Sequence, residues 1–187
     1  MKVRYSYLKE QFADPDEILA EIKALVLTGD FTLGAQVEQF EKHFANLIGT
    51  QYAVGVGSGT DALMLSLKAL DVGPGDEVIT AANTFIATAG AINAVGARPV
   101  FVDVTEQFTL NTDQIEQVIG ENTKAILPVH LTGEPADMDE VLSISREKGI
   151  AVVEDACQAI LANYKGHNAG TMGAMGGFSL HPLKNLN

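Results

Sequence analysis

Cysteine is almost missing from this 187-residue chain, with Cys157 the single example. An internal disulfide is therefore excluded, and the usage fits a reducing compartment. Basic side chains are scarce too: 12 against 24 acidic ones, for a net charge of −12. That balance argues against nucleic acid or an anionic membrane as the main partner, while a local basic site for phosphate stays open. No apolar run is long enough to span a bilayer, and the N-terminal stretch, with acids at Glu10, Asp14 and Asp16, is no signal peptide. Internal repeats, low-complexity tracts and flexible linkers are absent. His43, His130, His167 and His181 lack the spacing of a metal site, so no metal is expected. What remains, at 47% hydrophobic residues, is a soluble cytoplasmic α/β protein with enough material for one well-buried domain.

The order of patterns supports that class. Residues 1–13, with Tyr5, Tyr7 and Phe12, read as an arm lying on another surface. Asp14-Pro15-Asp16-Glu17 predicts a helix start, with Asp14 as N-cap and Pro15 in the first helical position; Ile18, Ile22 and Leu25 keep helical spacing up to Thr28-Gly29. Val37, Phe40, Phe44 and Leu47 mark one face of a second helix ending at Gly49. This gives a helical segment over 1–50, followed by an α/β core over 51–187. In that core, strands are predicted at 52–56, 77–80, 99–104, 124–129 and 150–153, the last running into Glu154-Asp155. Helices are predicted after Asp61, over 85–95, from Asn111 or Thr112 to Ile119, and over 138–148. Such alternation with short links predicts a mostly parallel sheet with helices on its faces, and ligands then sit beyond the C-terminal ends of the strands. The chain reaches Asn187 just after Lys184 with no sign of finishing an element, so it is expected to be the front part of a longer protein.

Three stretches have the chemistry for a site. Gly176 to Asn185 places Lys184 at the end of an apolar run, and a shielded lysine that loses its proton can form a Schiff base with an aldehyde. Val152-Val153-Glu154-Asp155 puts a carboxylate at the end of a buried strand. A lysine and a carboxylate are the two groups that a pyridoxal phosphate site needs. In an extended strand Glu154 points away from Asp155, so the two acids do not share a task. Taken by itself, Asp155 reads more readily as an N-cap for whatever follows the strand. The third stretch, Gly55-Val56-Gly57-Ser58-Gly59-Thr60, follows a strand and opens a helix, where backbone N–H groups and the helix dipole suit a phosphate. Thr60 stands where the third glycine of a dinucleotide fingerprint belongs, and no P-loop lysine follows. The glycines are served as well by a tight turn, but the Ser58 and Thr60 hydroxyls favour a phosphate monoester. Phe85, opening a helix at a strand's end, could cover a flat cofactor or fill the core. His130 could border the pocket, and Cys157 reads as packing rather than a nucleophile.

In order along nearly the whole chain come Ser58-Gly59-Thr60-Asp61-Ala62-Leu63, Gly73-Pro74-Gly75-Asp76-Glu77-Val78-Ile79, Thr84-Phe85-Ile86-Ala87-Thr88, Pro99-Val100-Phe101-Val102-Asp103-Val104, Pro128-Val129-His130-Leu131, Glu154-Asp155-Ala156-Cys157-Gln158, and Phe178-Ser179 with Lys184-Asn185-Leu186. This series resembles the sugar aminotransferases of the DegT/StrS type, pyridoxal phosphate enzymes on the aspartate aminotransferase fold. The resemblance implies that Lys184 holds the cofactor and acts as the base, that Asp155 pairs with the pyridine nitrogen and Gln158 with the ring oxygen, and that Phe85 stacks on the ring. It also implies a phosphate held by Ser58, Gly59, Thr60 and Ser179, and a homodimer that shares residues across its interface. The implied reaction moves an amino group from glutamate or glutamine to a keto-sugar. That sugar is either nucleotide-linked or a free acid such as an 8-oxo octulosonate on the way to lipopolysaccharide. The small C-terminal domain of the family is absent from this stretch.

Three rivals compete with that expectation. A sugar dehydratase of the same family is nearest, although some of those carry histidine at the position of Lys184. A sensor built on the same scaffold would keep the cofactor without transferring an amine. A nicotinamide enzyme is disfavoured by the missing third glycine.

Overall fold

The computed structural model describes residues 6–186. They divide into two compact units, one ending at Gly55 and one beginning at Val56. The first is helical. Leu8–Gln11 (α1) makes a single turn, and Tyr5 of the expected arm lies outside the described residues. Asp16–Thr28 (α2) starts one residue later than its acid-proline signature predicts. Pro15 is the flanking residue, with φ −89° and ψ 1°, while Asp14 Oδ1 accepts from the Asp16 N–H at 3.5 Å. Ala35–Ile48 (α3) is braced by a Glu38–Lys42 pair one turn apart and by the stacked rings of Phe40 and Phe44, 5.6 Å between centres. Glycines in the left-handed region, Gly29 at φ 72° and Gly49 at φ 80°, end α2 and α3.

No strand forms over residues 52–56, where the sequence predicted one. A strand needs a partner ladder for its N–H groups, and the Gly55 N–H is spent on the Glu41 carboxylate instead, at 2.7 Å.

The second unit is built on a parallel sheet. Its strands are Glu77–Ala81 (β1), Arg98–Val102 (β2), Thr123–Leu127 (β3), Ala151–Asp155 (β4) and, after a two-strand hairpin of Asn163–Tyr164 (β5) and His167–Asn168 (β6), Met175–Gly177 (β7). The order across the sheet is β2-β1-β3-β4-β7, every pairing parallel. Helix Gly59–Ala69 (α4) precedes β1, and helices Ile86–Ala94 (α5), Ile115–Val118 (α6) and Met138–Lys148 (α7) lie in the connections that follow. The predicted 111–119 helix is shorter than expected: a 3-10 turn at Thr112–Gln114, capped by the Asn111 side chain, precedes α6.

Both faces of the sheet are covered, as the α/β pattern predicts. Val78, Ala125, Leu127 and Val153 pack with Leu63 and Leu67 of α4 and Ala91 and Ile92 of α5. Their immediate chain neighbours Ile79, Ile126 and Val152 turn to the other face, against Ile115, Met138, Val141 and Ile144. Alternation along each strand thus feeds two cores, and each fully buried leucine or isoleucine contributes about 1.5–3 kcal/mol. Strand order reverses between β1 and β3, and the C-terminal ends of β1, β3, β4 and β7 open on one rim.

Candidate active site

Asp155 ends β4 on that rim. Its backbone is fixed from one side, with Asp155 N–H donating to Pro128 O at 2.9 Å and His130 N–H donating to Asp155 O at 3.0 Å. Gly177 of β7 is its partner on the other side. Its carboxylate is nearly buried, at 6% exposure, and takes two donors: Thr88 Oγ1 on Oδ2 at 2.7 Å and the Cys157 N–H on Oδ1 at 3.2 Å. Gln158, three residues on, accepts the Thr132 N–H through Oε1 at 2.9 Å. A backbone donor fixes which end of the amide is oxygen, which leaves the Gln158 NH2 as a donor.

Phe85 caps α5 just beyond β1, with its ring exposed, and Lys184 Nζ stands 5.6 Å from that ring's centre. Lys184 is half-buried. Its segment is turned by the Lys184 N–H on His181 O at 2.7 Å and tied down by Asn185 Nδ2 on Ile160 O at 3.0 Å.

The third group gathers at the start of α4. Ser58 is the N-cap: its Oγ accepts the Asp61 N–H at 3.1 Å and donates to Asp61 Oδ2 at 3.0 Å. Gly59 and Thr60 form the first turn, where helix geometry leaves N–H groups without intrahelical acceptors. A Cβ on Gly59 would stand 2.8 Å from Cys157 Sγ, 3.0 Å from Ser179 Cβ and 3.3 Å from Phe178 O. Only a bare backbone lets the helix start, Cys157 and Ser179 come this close. Contacts thus join Asp155 through Thr88 to Phe85 and Lys184, and Gly59 to Cys157 and Ser179. Burial and the adjacent Asp155 push the Cys157 thiol well above its ordinary value, with the Lys184 charge opposing, so it is packing and no nucleophile.

Sequence reading missed what lies behind the rim. Glu154 is fully buried and accepts four donors: His130 Nε2 at 2.9 Å and the N–H groups of Gly170 at 2.7 Å, Met172 at 2.7 Å and Gly173 at 2.6 Å. Burial works against its charge, but the His130 donor and the Gly173 and Gly170 amides outweigh that and hold its carboxyl below the ordinary value. His130 does not border the pocket; its ring is fully buried, with Nδ1 accepting the Ala136 N–H at 3.1 Å. That acceptor role leaves the ring proton on Nε2, facing Glu154. Thr88 was also missed. Its one visible signal is a β-branched hydroxyl in the first turn of an alanine-rich helix.

A parallel sheet with an acid at the end of a central strand, a lysine over an aromatic ring and a bare helix start beside a serine hydroxyl defines a class. It is the arrangement of pyridoxal phosphate enzymes with the aspartate aminotransferase fold, and the donor set here fits that cofactor: an acceptor for a ring nitrogen, an amide donor and a phosphate cradle that a Cβ would fill. Residues 13–187 match the model of the DegT/DnrJ/EryC1/StrS aminotransferase family, and the chain belongs to that family. It is 49% identical over 172 residues to a UDP-N-acetyl-3-dehydro-alpha-D-glucosamine 3-aminotransferase of Acidithiobacillus ferrooxidans, covering 91% of this chain and 47% of that one. It is 43% identical over 189 residues to a pleiotropic regulatory protein of Geobacillus stearothermophilus, covering 100% and 50%. The crystal structure of NtdA from Bacillus subtilis with bound cofactor PMP superposes with a TM-score of 0.89 at 38% identity, covering 100% of this chain and 42% of that one. The chain thus spans about half the length of the curated relatives it matches. Among the described residues no group of three or more His, Cys, Asp or Glu side chains could hold a metal, and no helix is long and apolar enough to cross a membrane.

Proposed function

We propose that this chain forms most of the cofactor domain of a pyridoxal phosphate-dependent aminotransferase that aminates a keto-sugar. The observation that supports it best is the placement of Lys184 Nζ over the Phe85 ring, on the rim where β4 ends in Asp155. Bound on that rim, pyridoxal phosphate supplies a carbonyl carbon for an amine and a cationic ring that draws electrons from the substrate's α-carbon. Lys184 would hold the cofactor through Nζ, and the same atom would take and return the proton. Asp155 would keep the ring nitrogen protonated, the Gln158 NH2 would donate to the ring oxygen, and Phe85 would cover the ring and exclude water. The Gly59 and Thr60 amides, with the Ser58, Thr60 and Ser179 hydroxyls, would hold its phosphate. The Ser58 hydroxyl must then be shared with Asp61, whose contacts it already makes.

The amino donor is glutamate or glutamine. A nucleotide-linked keto-sugar is the favoured acceptor because the Acidithiobacillus relative is named for one. A free keto-sugar acid such as an 8-oxo octulosonate is the second candidate, and either product would serve cell-surface polysaccharide or lipopolysaccharide synthesis in the cytoplasm. The remaining parts of the site come from a small C-terminal domain beyond this stretch and from the second subunit of a homodimer. The test is the visible spectrum of the full chain with pyridoxal phosphate, before and after glutamate or glutamine, followed by mass detection of an aminated sugar. Conversion of the bound cofactor to its amine form supports the reading. A bound cofactor that no donor changes would shift support to the sensor reading, which the relative named as a regulatory protein favours. Loss of water from the sugar without amine gain would shift it to a dehydratase.

A further inference from the structure

Asp155 is held by a chain of hydroxyls that has a fixed direction. Thr88 Oγ1 lies 2.7 Å from Asp155 Oδ2 and 2.7 Å from Thr84 Oγ1. Each hydroxyl has a single proton, and an ionised carboxylate can only accept. The Thr88 proton is therefore committed to Asp155, so Thr88 Oγ1 must accept from Thr84. The sequence of donors is Thr84 to Thr88 to Asp155. With the Cys157 N–H on Oδ1, each carboxylate oxygen has one protein donor, which fixes the plane of the group. The same threonine is joined to the turn that presents Phe85: the Thr88 N–H donates to Phe85 O at 3.1 Å, and Thr84 is the residue before Phe85. Thr88 is wholly buried in the first turn of α5, where valine would fill the same space without a donor.

We propose that Thr88 is a positioning residue, whose hydroxyl aims the Asp155 carboxylate at the ring nitrogen and locks it to the turn carrying Phe85, so that the edge and the face of the cofactor ring are gripped as one unit. The proposal rests on the reading of the rim as a pyridoxal phosphate site.

The test compares Thr88→Val, Thr88→Ser and Thr84→Val in the full chain. Three quantities are read: cofactor dissociation constant by equilibrium dialysis, visible spectrum of the bound form, and kcat and KM for the amino donor. Thr88→Val is expected to weaken cofactor binding roughly ten- to hundredfold, the range for losing a hydrogen bond to a charged group, to shift the bound spectrum, and to lower kcat with little change in KM. Thr88→Ser restores the donor and should return affinity to within about threefold of wild type. The melting midpoint of cofactor-free Thr88→Val, close to wild type, separates loss of aim from loss of fold. Should that variant fail to fold, Thr84→Val decides: removing the donor onto Thr88 is expected to weaken binding by about three- to tenfold. Wild-type affinity and kcat in Thr88→Val, a serine variant as weak as the valine one, or an unchanged Thr84→Val would each overturn the proposal. A wild-type protein that binds no pyridoxal phosphate would instead overturn the site reading beneath it.

Discussion

Glu154 and Asp155 are adjacent on β4, yet their carboxylates live on opposite sides of the sheet in opposite roles. Glu154 is enclosed by the Gly170–Gly173 turn and His130, while Asp155 faces the rim with Thr88. The pleat of the strand is what separates them. The turn that Glu154 anchors leads straight into β7 and on to Ser179 and Lys184, so the buried acid sets the segment bearing the lysine without touching the rim.

Replacing Glu154 with glutamine should therefore act on stability. One amide end would present N–H groups to donors, either His130 Nε2 and Gly170 or Met172 and Gly173, and the expected loss is about 3 kcal/mol. The effect depends on pH. The folded carboxyl titrates below its ordinary value of 4.5, so its stabilising contribution is complete above 4.5 and drains away as pH falls through the lower folded value. Denaturant melts at neutral and acid pH check this: the glutamine variant should melt earlier at neutral pH and lose less on acidification than wild type.

Much of this was legible in the chain. The two cores follow from alternating apolar strands, and Asp155 could be found because an apolar run ending in acid can be seen locally. Thr88 could not, since its partner lies 67 positions away and its own surroundings read as helix filler. Glu154 was recognised as pointing away from the site, but its amide donors sit 16 to 19 positions downstream in a glycine-rich stretch with no pattern of its own. The failed strand at 52–56 shows the converse limit: alternation proposes a strand, but only a neighbouring ladder makes one.

Cys157 should be inert toward alkylation in the folded protein. Its thiol is pushed up by burial and by Asp155, whereas an ordinary cysteine titrates near about 8.5 and is partly thiolate in mild alkali. Iodoacetamide followed by mass spectrometry should find it unlabelled in the native state and labelled after unfolding. Rapid native labelling would mean that the packing of Cys157 against Gly59 is looser than the structure shows.

Two glycine-to-alanine changes should move stability in opposite directions. Gly90 lies inside α5, and a Cβ there meets nothing within 4 Å, so Gly90→Ala should stabilise by roughly 0.5–1 kcal/mol through the lower entropy cost of alanine in a helix. Gly59 opens α4 and would gain the same helical preference, but its Cβ would press on Cys157 Sγ at 2.8 Å and Ser179 Cβ at 3.0 Å. Overpacking of that kind costs about 1–3 kcal/mol, which outweighs the helical gain. Relief of the clash must part the helix start from Ser179, the two sides of the proposed phosphate cradle. Gly59→Ala is thus expected to lower pyridoxal phosphate affinity by a larger factor than it lowers the folding constant, whereas Gly90→Ala should leave affinity unchanged. Thermal melts beside equilibrium dialysis measure both. If Gly59→Ala bound the cofactor like wild type, the bare approach of α4 to Ser179 would have no part in holding the phosphate.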